Sequence, residues 1–427
     1  MRILLVVHGY PPEKVGGTET YTRSLAYGLK RENDVAVFSR TATEGKEYEL
    51  VRREENGLPI WLMRNTYSLH ADYELNYLNP HIEEAFVRAL DEFKPDVVHF
   101  TYLLGGLSAS YLGMASDRNL RTIVTLTDFH FICPWGQLLT PGGQDCPGPE
   151  EGLRCSICFA GEDPYAGLSW WRKMRIKRLP IEKQVRRLKS PGLTRMRNRI
   201  SYLREMLRRA DVIISPTKYL QEVYKQWGIA SIWLPFGIDK SLFSGFKRKR
   251  SQWLRLGFIG RLLPLKGLHV LVEALAGLPG NVPPWKLYVY ADESGLEEKR
   301  YLDRIKEKTP ATVEFRGTFP PEEIKGVYED MDVLVLPSLW AENSPMVLLY
   351  ALHTNTPVVA ADIGGVREIV GASGACLYSP RDVSSLQGLL SEIFVNPGAL
   401  ARLKPVEVSG MDDHVQKLTG IYRGESA

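Results

Sequence analysis

The sequence predicts an α/β protein of two parallel-sheet units, on three observations. Short apolar strands alternate along the chain with segments of helical periodicity, which is the pattern of parallel α/β sheets. The alternation restarts at Leu256-Gly257-Phe258-Ile259-Gly260, and each half opens with a strand running into a glycine-containing loop. At 427 residues the chain is also too long for one ordinary core, so two domains are expected.

In the first half, strands are expected near Ile3–Val7, Val35–Phe38, Val97–Phe100, Thr122–Leu126 and Val212–Ser215. Helices are expected near Thr18–Lys30, His81–Phe93 and Leu203–Arg209, the last with Ile200, Leu203 and Leu207 at helical spacing. In the second half, strands follow near Lys286–Tyr290, Val313–Phe315, Val333–Leu336 and Pro357–Ala360, with helices between them. The polar, basic FSGFKRKRSQW places the join in Ile238–Trp253. The expected domains are therefore 1–237 and 238–404, with a helix over 405–427 returning to the first. Two such Rossmann-like sheets facing each other across a cleft would bring their strand ends to the interface, where open α/β sheets bind ligands.

Hydrophobic content of 44% with 24% charged residues describes a globular chain, not a disordered one. The opening MRILLVVHGYPP runs straight into a Pro/Gly loop, so it reads as a buried strand, not as a signal peptide. No apolar run approaches the roughly 18 residues of a membrane span. A cytoplasmic protein is expected. The net charge of +4 hides an asymmetry: residues 170–209 carry 15 Lys/Arg against Glu182 and Glu205, a local +13 that leaves −9 elsewhere. An anionic partner is expected for that stretch alone. Trp170 and Trp171 beside these cations suit an anionic membrane surface through 170–187, which would place the protein peripherally at the inner face of the membrane. Nucleic acid is the competing partner, but no recognition module or stacking motif accompanies the charge, and none is expected to bind.

Two stretches carry the chemistry. In GRLLPLKG, Arg261 follows a strand and Lys266 opens the next helix, so two cations flank a strand-to-helix turn suited to a diphosphate. In MDVLVLPSLWAENSPMVLLYALHTNTP, the strand ends at Pro337, Ser344 reads as N-cap and Pro345 as the first helical residue. The amides of Met346 and Val347 then face an anion, the helix runs to about His353, and Asn355 is a left-handed C-cap. Glu342 hangs over this site, where a carboxylate suits the hydroxyl groups of a polar ligand. A loop cap is the plainer reading of Glu342, and solvated surface charge that of Arg261 and Lys266.

These residues, followed by TPVVA and Gly364-Gly365-Val366-x-Glu368, resemble the family-four retaining glycosyltransferases of the GT-B fold. HGYPPEKVGGTETYTRSLAYGL and the PFGID segment at 235–239 fit the same family, so the resemblance spans nearly the whole chain. It implies a nucleotide-sugar donor with its diphosphate held by Arg261, Lys266 and the Gly16-Gly17 loop. Glu342 would contact sugar hydroxyls, and backbone amides from Asn343 and Ser344 to Met346 and Val347 would hold sugar and phosphate. A glycan or lipid-linked acceptor is implied, as in cell-surface polysaccharide or glycolipid synthesis, with no cofactor required for catalysis. The leaving diphosphate can take the acceptor proton. A GT-B epimerase and a degenerate glycan-binding scaffold are the alternatives.

The sequence departs from the family pattern at several places. The usual second glutamate, a ribose ligand eight residues after the first, is Tyr350, which either offers one hydroxyl to the ribose or packs against the sheet. The Gly-Phe-Gly after the first glutamate is Asn343-Ser344-Pro345. On the acceptor side the family's histidine before an aspartate is Thr127, followed by Asp128 and then His130. These, together with His99 at another strand end, are the candidates there. Finally, Cys133, Cys146, Cys155 and Cys158, spaced C-x12-C-x8-C-x2-C, lie in a loop with little core of its own. A structural zinc ion is expected to staple it, ahead of free thiols and then disulfides; an iron–sulfur cluster stays open.

Overall fold

Five consecutive apolar residues, Ile3 to Val7, are fully buried in the first strand, as in a parallel sheet covered on both faces. The computed structural model describes residues 1–66, 73–164, 168–188, 190–293, 295–307, 309–371, 376–396, 398, 400 and 406–425. Lys189 of the basic stretch and the expected boundary at 404/405 lie outside the described residues.

The chain divides into two compact units. The first comprises 1–216, 220–234 and 415–427, and holds eight strands. These are β1 (Arg2–Val7), β2 (Asp34–Thr41), β3 (Leu50–Glu55), β4 (Leu58–Arg64), β5 (Val97–Phe100), β6 (Arg121–Thr125), β7 (Val212–Ser215) and β8 (Ile232–Trp233). Their order is β3-β4-β2-β1-β5-β6-β7-β8, and every pairing is parallel except β3 with β4. Ile3 sits between Val35 on β2 and Val97 on β5. The strand order therefore reverses at β1/β5, and the loops leaving these two strands diverge there.

The second unit comprises 217–219 and 235–414. Its strands are β9 (Leu254–Ile259), β10 (Trp285–Tyr290), β11 (Val313–Gly317), β12 (Val333–Leu336), β13 (Val358–Ala361) and β14 (Cys376–Tyr378). They run in the order β11-β10-β9-β12-β13-β14, all parallel, with the reversal at β9/β12. The chain thus crosses between units around 216–220 and again at 234/235, upstream of Ile238–Trp253, which belongs to the second unit. Its last described residues, 415–425, belong to the first unit and end the helix Met411–Arg423.

Three local features differ from expectation. The hairpin β3–β4 was not expected, because LVRREENGLPIWLMR looks charged; its turn residues Asn56 and Gly57 have φ of 50° and 72°, the left-handed pair of a type I′ turn. The helix expected at Leu203–Arg209 spans Pro191–Arg208, started by Ser190, whose side chain accepts from the Leu193 amide, and by Pro191 at the first position. The helix after Glu342 spans Met346–His353 with Pro345 at its N-cap and no side-chain cap, so Ser344 does not cap it. Asn355 does take the left-handed conformation, with φ 51°.

Candidate functional site

In the second unit, the two diverging loops after β9 and β12 meet at Glu342. The first loop needs Gly267: its φ is 73°, and a Cβ there would lie 1.8 Å from the Pro337 carbonyl oxygen at the end of β12. This close approach seats Lys266 beside the second loop. Lys266 Nζ lies 2.5 Å from Glu342 Oε1, the Ser338 hydroxyl donates to the same oxygen at 2.8 Å, and Trp340 Nε1 donates to it at 3.1 Å. The Lys266 ammonium also stands 5.6 Å from the Trp340 ring centre. Three donors fix one carboxylate oxygen, while Oε2 has no partner among the described residues. Glu342 is 7% exposed, so burial and this donor set hold it in one orientation.

The loop carrying Glu342 rests on the glycine pair. The Gly365 amide donates to the Glu342 carbonyl at 2.8 Å, and a Cβ on Gly365 would lie 1.9 Å from the Asn343 carbonyl oxygen. Asn343 is buried and accepts a 2.5 Å hydrogen bond from the Thr217 hydroxyl through Oδ1. Glu368 accepts from the amides of Lys218 and Tyr219 at 2.9 and 2.8 Å. The helix Met346–His353 begins directly after this loop, where the Met346 and Val347 amides have no intrahelical acceptor. Arg261 is different: its side chain is 63% exposed and, among the described residues, pairs only with Glu298 at 3.7 Å, a loose surface pairing. Tyr350 is 5% exposed, with its ring 5.4 Å from Phe243 and 6.3 Å from Tyr328. Burial, then the nearby Asp239 charge, pushes its phenol well up. Of the two readings of Tyr350, this geometry is that of packing.

The first unit gathers a second group of side chains. Asp128 Oδ2 lies 2.6 Å from His130 Nδ1, and Asp128 Oδ1 accepts from the His130 amide at 2.8 Å. Tyr102, unexpected from sequence, places its hydroxyl 2.7 Å from the same ring nitrogen. Burial works to raise the Asp128 pKa, but the His130 charge and hydrogen bonds from His130 and Tyr102 outweigh it and hold the carboxyl below its ordinary value. With Nδ1 so engaged, Nε2 is left without a partner among the described residues. Gly136, at φ 71°, leaves the space for this ring: a Cβ there would lie 2.3 Å from His130 Cε1. Thr127 is half-buried at the start of the same loop.

His99 does not join this group. It is fully buried, with Nδ1 2.7 Å from the Tyr422 hydroxyl and Nε2 2.8 Å from Thr125 Oγ1. It ties the sheet to the last helix and is inaccessible to an acceptor, which corrects the expectation from its strand-end position. Gly16 is the N-cap of the helix Gly17–Lys30, but the first turn already carries a buried acid. Glu19, 3% exposed, lies 3.3 Å from His8 Nε2 and 3.5 Å from Lys14 Nζ, and a Cβ on Gly16 would lie 2.6 Å from its Oε2. His8 in turn lies against Tyr102, ring centres 3.9 Å apart. His8, Glu19, Tyr102, Ser338 and Trp340 were missed because nothing local marks them; only their place after β1, β5 and β12 could have. The four cysteines Cys133, Cys146, Cys155 and Cys158 form no disulfide, and among the described residues no three His, Cys, Asp or Glu side chains are closed around a common point. No described helix is long and apolar enough to cross a membrane.

Comparison with known proteins bears on the family and the fold. D-inositol 3-phosphate glycosyltransferase of Corynebacterium urealyticum is 39% identical over 181 residues, which is 39% of this chain and 42% of that relative. The chain thus matches less than half the length of this curated relative. Among solved structures, sucrose-phosphate synthase of Thermosynechococcus elongatus superposes with a TM-score of 0.68 at 17% identity, covering 99% of this chain and 98% of that one. Anabaena HepE, solved in complex with UDP and glucose, superposes with a TM-score of 0.59 at 16% identity, covering 99% and 95%. The likeness bears out the GT-B fold. Residues 15–242 match the family model "Glycosyltransferase Family 4" and residues 243–405 the model "Glycosyl transferases group 1". The chain belongs to glycosyltransferase family 4, with a group 1 glycosyl transferase domain as its second half.

Proposed function

We propose that this chain is a retaining glycosyltransferase that moves a sugar from a nucleotide-sugar donor to a glycan or lipid-linked acceptor. Glu342 carries the reading. Its Oε1 is saturated by Lys266, Ser338 and Trp340 while its Oε2 is left for a ligand, beside unsatisfied helix amides. That set suits a sugar diphosphate: Oε2 accepts from sugar hydroxyls, and Lys266 and the Met346 and Val347 amides face the phosphates. During transfer the bond from the anomeric carbon to the phosphate oxygen breaks, and the acceptor oxygen bonds to the same face of that carbon. The acceptor proton passes to the departing diphosphate, whose charge Lys266, Arg261 and the helix N-terminus offset without a required divalent ion. His130, braced by Asp128 and Tyr102, is assigned to the acceptor hydroxyl through Nε2. Incubating the purified chain with a panel of nucleotide sugars, with and without saccharide acceptors, tests this. Acceptor-dependent release of nucleoside diphosphate is expected. Release of an epimerised sugar would support the epimerase reading, and no turnover of any donor would leave a binding protein.

We also infer a peripheral membrane seat. The helix Trp170–Lys177 buries Ile176 against Leu153, Val185, Leu188 and Leu193 and presents Trp170 and Trp171, 62% and 77% exposed, outward among Arg172, Lys173 and Arg175. Paired exposed indoles flanked by cations favour an anionic interface, which fits a lipid-linked acceptor. Flotation should require anionic vesicles and weaken with salt and on Trp171→Ala; binding indifferent to lipid charge would refute the seat.

A further inference from the structure

The loop after His130 carries four free cysteines on separate local structures. The Cys133 amide donates to the Phe129 carbonyl at 2.7 Å, and its carbonyl accepts from Gly136 at 2.9 Å, closing a tight turn. Cys146 follows the bridge between Leu139 and Asp145, its amide bonded to the Leu138 carbonyl at 2.7 Å. Cys155 and Cys158 lie three apart on the helix Leu153–Cys158, on one face. The Trp135 ring, two residues after Cys133, lies 4.8 Å from that of Phe159, the residue after Cys158, and the helix Leu153–Cys158 packs against Pro191–Arg208, so the turn and the helix are neighbours. Cys133 and Cys155 are 7% exposed.

A second observation points to negative charge at this place. Arg199, on the helix Pro191–Arg208, is 4% exposed and has no carboxylate partner among the described residues. Its Nη2 donates to the His130 carbonyl, its Nη1 has no partner among the described residues, and its helix packs against the one that carries Cys155. The Tyr77 ring, 6.0 Å away, does not replace a counter-ion. A buried guanidinium without one is costly.

We propose that Cys133, Cys146, Cys155 and Cys158 bind one zinc ion as four thiolates, with Arg199 as the buried counter-charge. Binding releases four protons to solvent and leaves a tetrathiolate site of net charge −2, which Arg199 offsets in part. The thiols, borne on turns and a short helix, close inward to bond lengths of about 2.3 Å when the ion enters. Because Arg199 holds the His130 carbonyl and the Cys133 amide holds Phe129, the ion braces the turn that carries Asp128 and His130. This site is independent of which sugar the chain transfers.

Metal content decides it. The full chain, purified without chelator, should carry about one zinc per molecule by elemental analysis. Replacement with cobalt(II) should produce the visible ligand-field bands of a tetrahedral thiolate site. In competition with a chelator, Cys158→Ser should weaken zinc binding by about tenfold or more, and Arg199→Met by about tenfold, while Arg199→Lys restores most of the loss. Cys376→Ser, on β14 of the other unit, should change nothing. The wild-type cobalt spectrum stands even if a variant fails to fold. A metal-free chain without cobalt bands, a chain whose cysteines are paired in disulfides, or a chain carrying iron would each overturn the proposal.

Discussion

Replacing Glu342 by glutamine should separate two measurements. The side chain keeps its shape but loses the charge that now neutralises Lys266 at 2.5 Å. A hydrogen bond to a charged group contributes about 1.5–3 kcal/mol and a neutral one about 0.5–1.5, so Lys266 is released by about 1 kcal/mol. Free nucleoside diphosphate, which has no sugar for Glu342 to hold, should then bind equally well or up to about fivefold more tightly. Transfer should fall instead. Losing one preorganised charged contact at the reacting sugar costs about 2–4 kcal/mol, or about 30- to 1,000-fold in kcat/KM. Lys266→Ala provides the contrast, weakening free diphosphate by about 10- to 150-fold, because the phosphates lose a charged partner. Calorimetric titration with nucleoside diphosphate, beside initial rates with the full donor, reads both quantities. If Glu342→Gln weakened the free diphosphate severalfold and spared transfer, Glu342 would face phosphate-side structure, not sugar, and the assignment would fail.

Tyr350→Phe should leave nucleotide affinity within about twofold, since the ring is packed against Phe243 and Tyr328, whereas Tyr350→Ala should cost about 3–5 kcal/mol in denaturant unfolding; a selective loss of nucleotide binding in the phenylalanine variant would restore its ribose role. Asp128 has a folded-state pKa below its ordinary value of 3.8, so its contribution to stability is complete above that value and is lost as pH falls through the depressed folded-state pKa. Acid unfolding of Asp128→Asn should lack this component; identical acid profiles for variant and wild type would remove the paired-carboxylate account. Gly267→Ala forces a Cβ to 1.8 Å from the Pro337 oxygen at a φ of 73°, so it should cost about 1–3 kcal/mol or more and lower transfer with it. Unchanged thermal unfolding and rates in that variant would show that the Lys266 turn can open freely.

Strands β1, β5, β9 and β12 were legible because buried parallel strands read as apolar runs, and Asn355 because only certain residues accept its backbone angles. The strand–loop–helix frame of Glu342 was legible for the same local reason. The hairpin β3–β4 carried a local signal, Asn56-Gly57, that its charged flanks concealed. What no window of sequence contains is direction and partner. Lys266 and Glu342 are 76 residues apart, and their contact exists because β9 and β12 are neighbours in the sheet. His99 sat at a strand end like a site residue, yet Tyr422, 323 residues away, closes over it. Tyr350 reads equally as a ribose ligand or as a packed helix residue, and only the fold shows that Phe243 and Tyr328 lie against its ring. Backbone propensity and hydrophobic period are local and survive in one dimension; which polar atom meets which depends on sheet order and packing, and these exist only in the folded chain.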